Sequence, residues 1–253
     1  MLAYFFDFIE DCMNCKAHLY FLASASRVAA LAMTFGVVAN AHAARPLNTD
    51  DARIVDAKAC QVESWVRKNN GSTEYWALPG CNFTGNLEVT AGGARISDNT
   101  AGDSSRTVLQ GKTILKPLET NGWGLGLAGG TSHRVQAGLG TRDLYAYVPA
   151  SFSFDDDRLV VHTNVGWLRD ASAKRDFATW GVGLERQLTP ATWLIAETFG
   201  QSTEKPQFQL GVRQWIVPGH VQIDATYGSR VGGGASERWF SIGLRLLSVP
   251  FLN

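Results

Sequence analysis

Past residue 82 the chain repeats one device: segments of eight to eleven residues, apolar at every second position, separated by turn-forming residues. In Val221–Tyr227, the face Val221, Ile223, Ala225 and Tyr227 alternates with Gln222, Asp224 and Thr226. Phe240–Leu246, Val161–Trp167 and Trp180–Arg186 repeat the pattern. A side-chain period of two belongs to a strand with one apolar and one polar face, and no segment asks for a helix. Strands are predicted over 60–68, 73–81, 86–95, 106–116, 122–130, 143–154, 158–168, 176–187, 191–200, 206–216, 220–228 and 237–247, an even dozen.

The connections between these strands sort into two kinds. Short turns follow even strands, at 82–85, 117–121, 155–157, 188–190 and 217–219. Longer polar loops follow odd strands, at 96–105, 131–142, 169–175, 201–205 and 229–236, and only the first hairpin departs from the rule. An even strand count with short turns on one side and long loops on the other describes an antiparallel up-and-down transmembrane β-barrel, all-β, of the bacterial outer membrane. Tilted segments of this length match the apolar band of about 25 Å that such barrels present, and both termini then lie on the periplasmic side. Trp123, Trp167, Trp180, Trp193, Trp215, Tyr227 and Trp239 lie at or near strand ends, where an interfacial aromatic girdle is expected. Alternation alone does not say which face is wet, so a soluble periplasmic β-barrel binding protein is the competing architecture.

The first hairpin sets a register. Asn70-Gly71 is the dipeptide favoured in two-residue hairpin turns, where both central residues take positive φ. Such a turn pairs Arg67 with Glu74, Trp65 with Trp76 and Cys60 with Cys81. Counting outward, the cysteines fall at a non-hydrogen-bonded position, where Cα atoms approach to about 4.5 Å and a disulfide can close.

Residues 1–43 differ from the rest. Val28–Ala41 is an apolar run preceded by Lys16 and Arg27 and followed by the small-x-small step Ala41-His42-Ala43, which reads as a secretory signal peptide cleaved after Ala43. The run falls short of the roughly 20 residues a spanning helix needs. Asp7, Glu10 and Asp11 are acidic where a signal is basic, so translation starts at either Met1 or Met13. Export to an oxidising compartment suits a Cys60–Cys81 disulfide, whereas Cys12-x-x-Cys15 lies in the discarded part and lacks a second ligand pair. The mature chain divides into a periplasmic N-terminal stretch or plug, 44–59, and a barrel, 60–253.

Removing that segment, with its two basic and three acidic residues, leaves 21 basic and 20 acidic groups, which excludes a nucleic-acid footprint. Gly124-Leu-Gly-Leu-Ala-Gly129 matches a dinucleotide fingerprint in spelling, but its glycines alternate inside a strand with no helix after them; relief of crowding or wall curvature is the expected role. Of the mature histidines, His133, His162 and His220, only His162 shares a strand face with another polar candidate, Asn164. Nothing in the sequence brings a nucleophile to a base, so no catalytic residue is assigned. Asp155-Asp-Asp157 reads as a solvated turn, and neither metal nor cofactor is expected.

Function is therefore expected in the lumen. By parity the lumen-lining candidates are Glu63, Arg67, Glu74, Glu88, Lys112, His162, Asn164, Glu185, Gln209, Arg213, Asp224 and Arg245, a mixed-charge interior whose opposite charges pair across a narrow bore. The expected partners are outer-membrane lipid, a small-molecule cargo and, through the C-terminal strand Ser241–Leu247, the barrel-assembly machinery. The last strand departs from the usual assembly signal by continuing to Asn253 instead of ending on an aromatic residue.

Arg45–Ala52, Gln61-Val-Glu63 and Gly85-Asn-Leu-Glu88 resemble uncharacterised proteobacterial outer-membrane proteins related to the MetA-type phenol-degradation transporters. The resemblance covers most of the mature chain in layout but only these strings in detail, and it transfers no binding residues. It implies a transporter-like barrel aiding uptake of aromatic or other hydrophobic compounds. A passive channel for small molecules is the expected function; a non-conducting structural barrel and a lipid-acting enzyme using His162 are the alternatives.

Overall fold

The structure, a computed structural model, describes residues 46–252. The predicted signal peptide, with Cys12 and Cys15, lies outside the described residues. Twelve strands close into one antiparallel barrel in which each strand pairs with its neighbours in sequence and β12 returns to β1. They are β1 (Cys60–Asn69), β2 (Ser72–Asn82), β3 (Leu87–Asp98), β4 (Ser104–Lys116), β5 (Trp123–Gln136), β6 (Leu139–Phe154), β7 (Leu159–Asp170), β8 (Arg175–Thr189), β9 (Thr192–Gln201), β10 (Gln207–Val217), β11 (Val221–Arg230) and β12 (Trp239–Leu247). A short 3-10 turn, Ala235–Glu237, lies between the last two.

The rim that carries Cys60 and the end of β12 is the terminal rim, and the opposite one the far rim. At the terminal rim the chain after β12 folds back, Ser248 N donating to Cys60 O and Phe251 N to Lys58 O, which accounts for the residues beyond the last strand. The first hairpin holds the expected register, with Cys60 opposite Cys81, Trp65 opposite Trp76 and Arg67 opposite Glu74. The cysteines form a disulfide with Cα atoms 4.0 Å apart. Its turn differs from expectation, because only Gly71 there takes a positive φ, 88°.

The contrast between long and short connections does not survive. At the far rim β5 and β6 run on through residues 131–136 and 139–142, leaving only Ala137-Gly138 between them. That pair, not Asn70-Gly71, has both central residues at positive φ, 49° and 78°. The polar run Thr131–Arg142 looks like a loop because the wall there carries polar residues on its outer side as well: His133 and Arg142 are partners on the outward face. Without an apolar outer face, alternation disappears while the ladder continues.

The two faces of the wall are inverted relative to a soluble protein. Outward residues such as Val165 (70% exposed), Leu115 (63%) and Ile242 (57%) are apolar, while the inner face buries Arg213 (0%), Arg245 (1%), His162 (1%) and Glu185 (2%). Soluble folds bury apolar surface and leave charges in water. A closed ladder leaves no sheet edge unpaired, which a strand protein needs in hydrocarbon. The chain is a transmembrane β-barrel.

Candidate functional site

Strand register places all twelve lumen candidates on the inner face, and they divide by height. Toward the terminal rim they form a packed polar core. Arg213 meets Glu185 through two contacts, Nη1 to Oε1 at 2.6 Å and Nη2 to Oε2 at 2.8 Å. Asp224 is the direct cross-strand partner of Arg213, and Gln222 that of Arg245. Arg245 Nε donates to Gln61 Oε1 at 2.8 Å and lies 3.7 Å from Glu63, and Gln61 Nε2 donates to Glu88 at 3.0 Å. Fork-to-carboxylate geometry of this kind makes burial of so many charges tolerable.

His162 lies in the same layer, Nδ1 2.8 Å from Ser151 Oγ and Nε2 3.8 Å from Glu185. The fold thus assembles a serine, a histidine and an acid that no sequence spacing announced. Their surroundings decide their role: Ser151 is 0% exposed, its Oγ accepts the Ala52 N–H at 2.8 Å, and the group faces the lumen. A serine enclosed on this side of the wall does not meet lipid at the outer face.

The segment 46–59 runs inside the barrel from the terminal rim upward. Lys58 N donates to Asn82 O, and Asn82 Nδ2 to Val55 O. Val55 N donates to Glu88 at 2.8 Å. Asp50 and Asp51 both meet Lys112 Nζ, at 2.7 and 3.0 Å, while Tyr147 OH donates to Asp50 at 2.7 Å and Asn164 Nδ2 to the Asp50 carbonyl at 3.1 Å. Glu197 receives the backbone N–H groups of Asn48 and Thr49, at 2.8 and 2.9 Å. Gln209 Nε2 donates to Pro46 O and to Glu197. Gly181 makes the close approach possible, since a Cβ there would lie 2.4 Å from Thr49 Oγ1.

Toward the far rim the lumen is hollow. One cavity of about 500 Å³ is bounded by Asp50 and Arg53 of the N-terminal segment and by Arg67, Glu74, Trp76, Arg106, Arg134 and Trp239 of the wall, and its floor reaches Gln61, Glu63, Glu88 and Lys112 of the packed layer. A second, about 410 Å³, opens between Asn48, Thr49, Tyr147, Phe199 and Gln207. Trp65 and Trp76 stack with centroids 5.1 Å apart, and the Arg67 guanidinium lies 4.2 Å from the Trp239 ring centre. Glu74 accepts from Asn69 Nδ2 and Trp76 Nε1, both at 2.8 Å.

Three of the seven expected girdle aromatics point the other way. Trp193, Trp215 and Trp239 are 4%, 7% and 5% exposed and share the inner face with Arg213 and Arg245; the Arg213 guanidinium lies 5.3 Å from the Trp193 ring. Their rings fill the bore, and those of Trp193 and Trp239 meet guanidinium groups there instead of lipid headgroups. Trp123, Trp167, Trp180 and Tyr227 are exposed on the outer face, as expected of a girdle. The glycines of 124–129 lie within β5, with no helix after them.

Several lumen residues escaped sequence reading: Asp50, Asp51, Gln61, Gln110, Tyr147, Ser151 and Glu197. Parity carried the signal for most, since Glu197 is the cross-strand partner of both Gly183 and Gln209. The Asp155–Asp157 turn is tied to protein donors. Asp155 pairs with Arg158 and Arg186, Asp156 accepts from Asn121, and Asp157 from Thr120 and Ser153. The hydrogen bond from Arg186 holds the Asp155 carboxyl below the usual range. Among the described residues no group of three or more metal-ligating side chains comes together.

The model of a protein family, described as uncharacterised conserved protein UCP029691, matches residues 29–247. Among curated proteins none matches the chain in sequence. Solved structures share its fold. The KdgM porin has a TM-score of 0.53 at 10% identity, covering 74% of this chain and 98% of that one. The NanC porin has a TM-score of 0.53 at 9% identity with the same coverages. The COG4313 outer membrane channel from Pseudomonas putida F1 has a TM-score of 0.50 at 12% identity, covering 78% and 98%.

Proposed function

We propose that this chain, which belongs to the family described as uncharacterised conserved protein UCP029691, is an outer-membrane channel for small solutes that its own N-terminal segment holds shut. The apolar outer wall suits a lipid bilayer, and the terminal rim faces the periplasm, as termini do in such barrels. Solutes enter the hollow half from the far rim. They meet the segment 46–59, which lies across the bore.

The observation that carries this reading is the way the segment is held. Backbone bonds tie only its last residues, Lys58 and Ala59, to Asn82 at the terminal rim; beyond them it buries Leu47, Ala52 and Val55 and is held by side chains of the wall, Glu197, Gln209, Lys112, Tyr147, Ser151 and Glu88, without becoming a strand of the ladder. A segment held by side chains can leave without opening the wall. The sequence resemblance supports aromatic solutes as cargo, and strand β12, which zips to both β1 and β11, suits recognition by the assembly machinery.

Purified protein in planar bilayers tests the reading. Wild-type protein is expected to give rare, small steps, and Gly181→Val, which drives a side chain into Thr49, frequent and larger ones. Glu197→Gln, which weakens the same contact without bulk, should move in the same direction. Silence from all three, in protein that still shows a heat-dependent gel shift, would favour the non-conducting structural barrel.

A further inference from the structure

We infer that the hollow half of the lumen binds a small carboxylate carried on a ring with an apolar face, its carboxylate held by Arg106 and Arg134 and its ring laid against the tryptophan wall of β1, β2 and β12. This rests on the channel reading and names the class of solute that the channel selects.

Arg106 and Arg134 are direct partners in the β4–β5 ladder, and both line the larger cavity. Like charges placed directly opposite destabilise a sheet unless something answers them. In the packed half each guanidinium has such an answer, as Arg213 has in Glu185. Here the nearest acids are engaged elsewhere. Glu74 accepts from Asn69 and Trp76 and sits 4.0 Å from Arg67, and Asp143 accepts the Ala171 N–H at 2.9 Å. Buried guanidinium nitrogens without a hydrogen-bond partner among the described residues occur in both halves, Arg213 Nε and Arg245 Nη1 in the packed one and Arg106 Nε and Arg53 Nη1 here, but only Arg106 and Arg53 line the cavity, where a solute can reach them. Guanidinium forks fit the two coplanar oxygens of a carboxylate. The carboxylates of Glu63, Glu74 and Asp50 on the same cavity wall limit the ligand to a single negative charge, against phosphate or a dicarboxylate.

The second half of the site is apolar and flat. Trp76, Ala94, Arg106 and Arg134 are successive cross-strand partners on β2, β3, β4 and β5, so at the usual interstrand spacing the backbone of Arg106 stands about 10 Å, and that of Arg134 about 14 Å, from the Trp76 strand. The Trp65–Trp76 stack, planes 6° apart, and Trp239 border the same cavity. A ring stacks there while its carboxylate reaches the arginines. An aromatic acid and a sugar acid share this chemistry, so the test includes both.

Detergent-purified full-length protein is titrated with benzoate, glucuronate, benzyl alcohol and glucose, following tryptophan fluorescence. Saturable quenching by one or both carboxylates, at least tenfold tighter than by the matching neutral compound, is the expected result. Benzoate alone would identify aromatic acids, and glucuronate alone sugar acids. Arg106→Gln with Arg134→Gln should weaken binding at least tenfold, and Arg134→Gln alone, at an exposed position, should do so in part. Arg95→Gln, on the outer face, should change nothing. Equal binding of neutral and charged compounds, no saturable quenching by either carboxylate, or no loss in the arginine variants would overturn the site. Current without carboxylate binding would remove the site and leave the channel; binding without current from any variant would do the reverse.

Discussion

The two halves of the lumen are built from the same residue types and behave as opposites. Near the terminal rim, Arg213, Glu185, Arg245, Gln222 and His162 are almost fully buried and interlocked. Near the far rim, Arg53, Arg106 and Arg134 border a cavity of about 500 Å³. The difference lies in what answers each charge. Where a neighbouring strand or the N-terminal segment supplies the counter-group, the inner face is a polar core that holds the barrel shut. Where it does not, the same side chains are left to face solute. Mixed charge in a bore is therefore no guide to conduction until its pairing is known.

Removing a matching acid from each half should affect the two unequally. Glu185→Ala removes the fork partner of the buried Arg213, leaving only its cross-strand neighbour Asp224, and should cost about 3–5 kcal/mol, seen as a lower temperature for loss of the compact gel form. Glu74→Ala, beside the cavity, frees Asn69 and Trp76 where water can replace the lost carboxylate and should cost less, about 1.5–3 kcal/mol. Replacing Glu185 and Arg213 together by leucine should recover most of the first loss. Equal effects of Glu185→Ala and Glu74→Ala would remove the distinction between the halves.

The boundary between the halves gives an intermediate effect. Glu197→Gln weakens charge-assisted bonds to the Asn48 and Thr49 N–H groups, worth about 1.5–3 kcal/mol each. Proteolysis within 46–59 should rise about tenfold or more, while the barrel stays resistant. At the terminal rim, intact masses with and without reductant should differ by one bridge, Cys60–Cys81. Two free thiols in the exported protein would remove that bridge from the account. Since the bridge joins strands already paired, its loss should cost less than the roughly 3 kcal/mol of a comparable free loop. The smallest effect belongs to the exposed turn. The Asp155 carboxyl is held below its usual pKa by Arg186, so its contribution is present above the unfolded value near about 3.9 and fades as pH falls through the lower folded one. Asp155→Asn should therefore have a slight effect at neutral pH that disappears in strong acid, as thermal scans at the two pH values would show.

Most of the wall was legible because lipid outside and charge inside write the period of two directly into the sequence. Legibility failed where that contrast ends. Residues 131–142 carry polar groups on both sides, so β5 and β6 looked like a loop. Trp193, Trp215 and Trp239 were assigned to lipid from their place along the strand, although two-residue parity with Arg213 and Arg245 already put Trp215 and Trp239 inside. The docking of Asp50 and Asp51 on Lys112 was beyond any local pattern. It depends on which strands curve round to meet a segment some 60 residues away in sequence, and that follows only from closure of the barrel.

Thiol labelling most directly tests whether the lumen is divided. Val108→Cys lines the hollow half and Ile195→Cys the packed half, at 2% exposed; neither change removes a polar contact, and the native pair is bonded. With a membrane-impermeant maleimide on intact barrels, Val108→Cys should react rapidly and Ile195→Cys at least a hundredfold more slowly. Equal rates would mean that water fills the bore from rim to rim and that the N-terminal segment seals nothing.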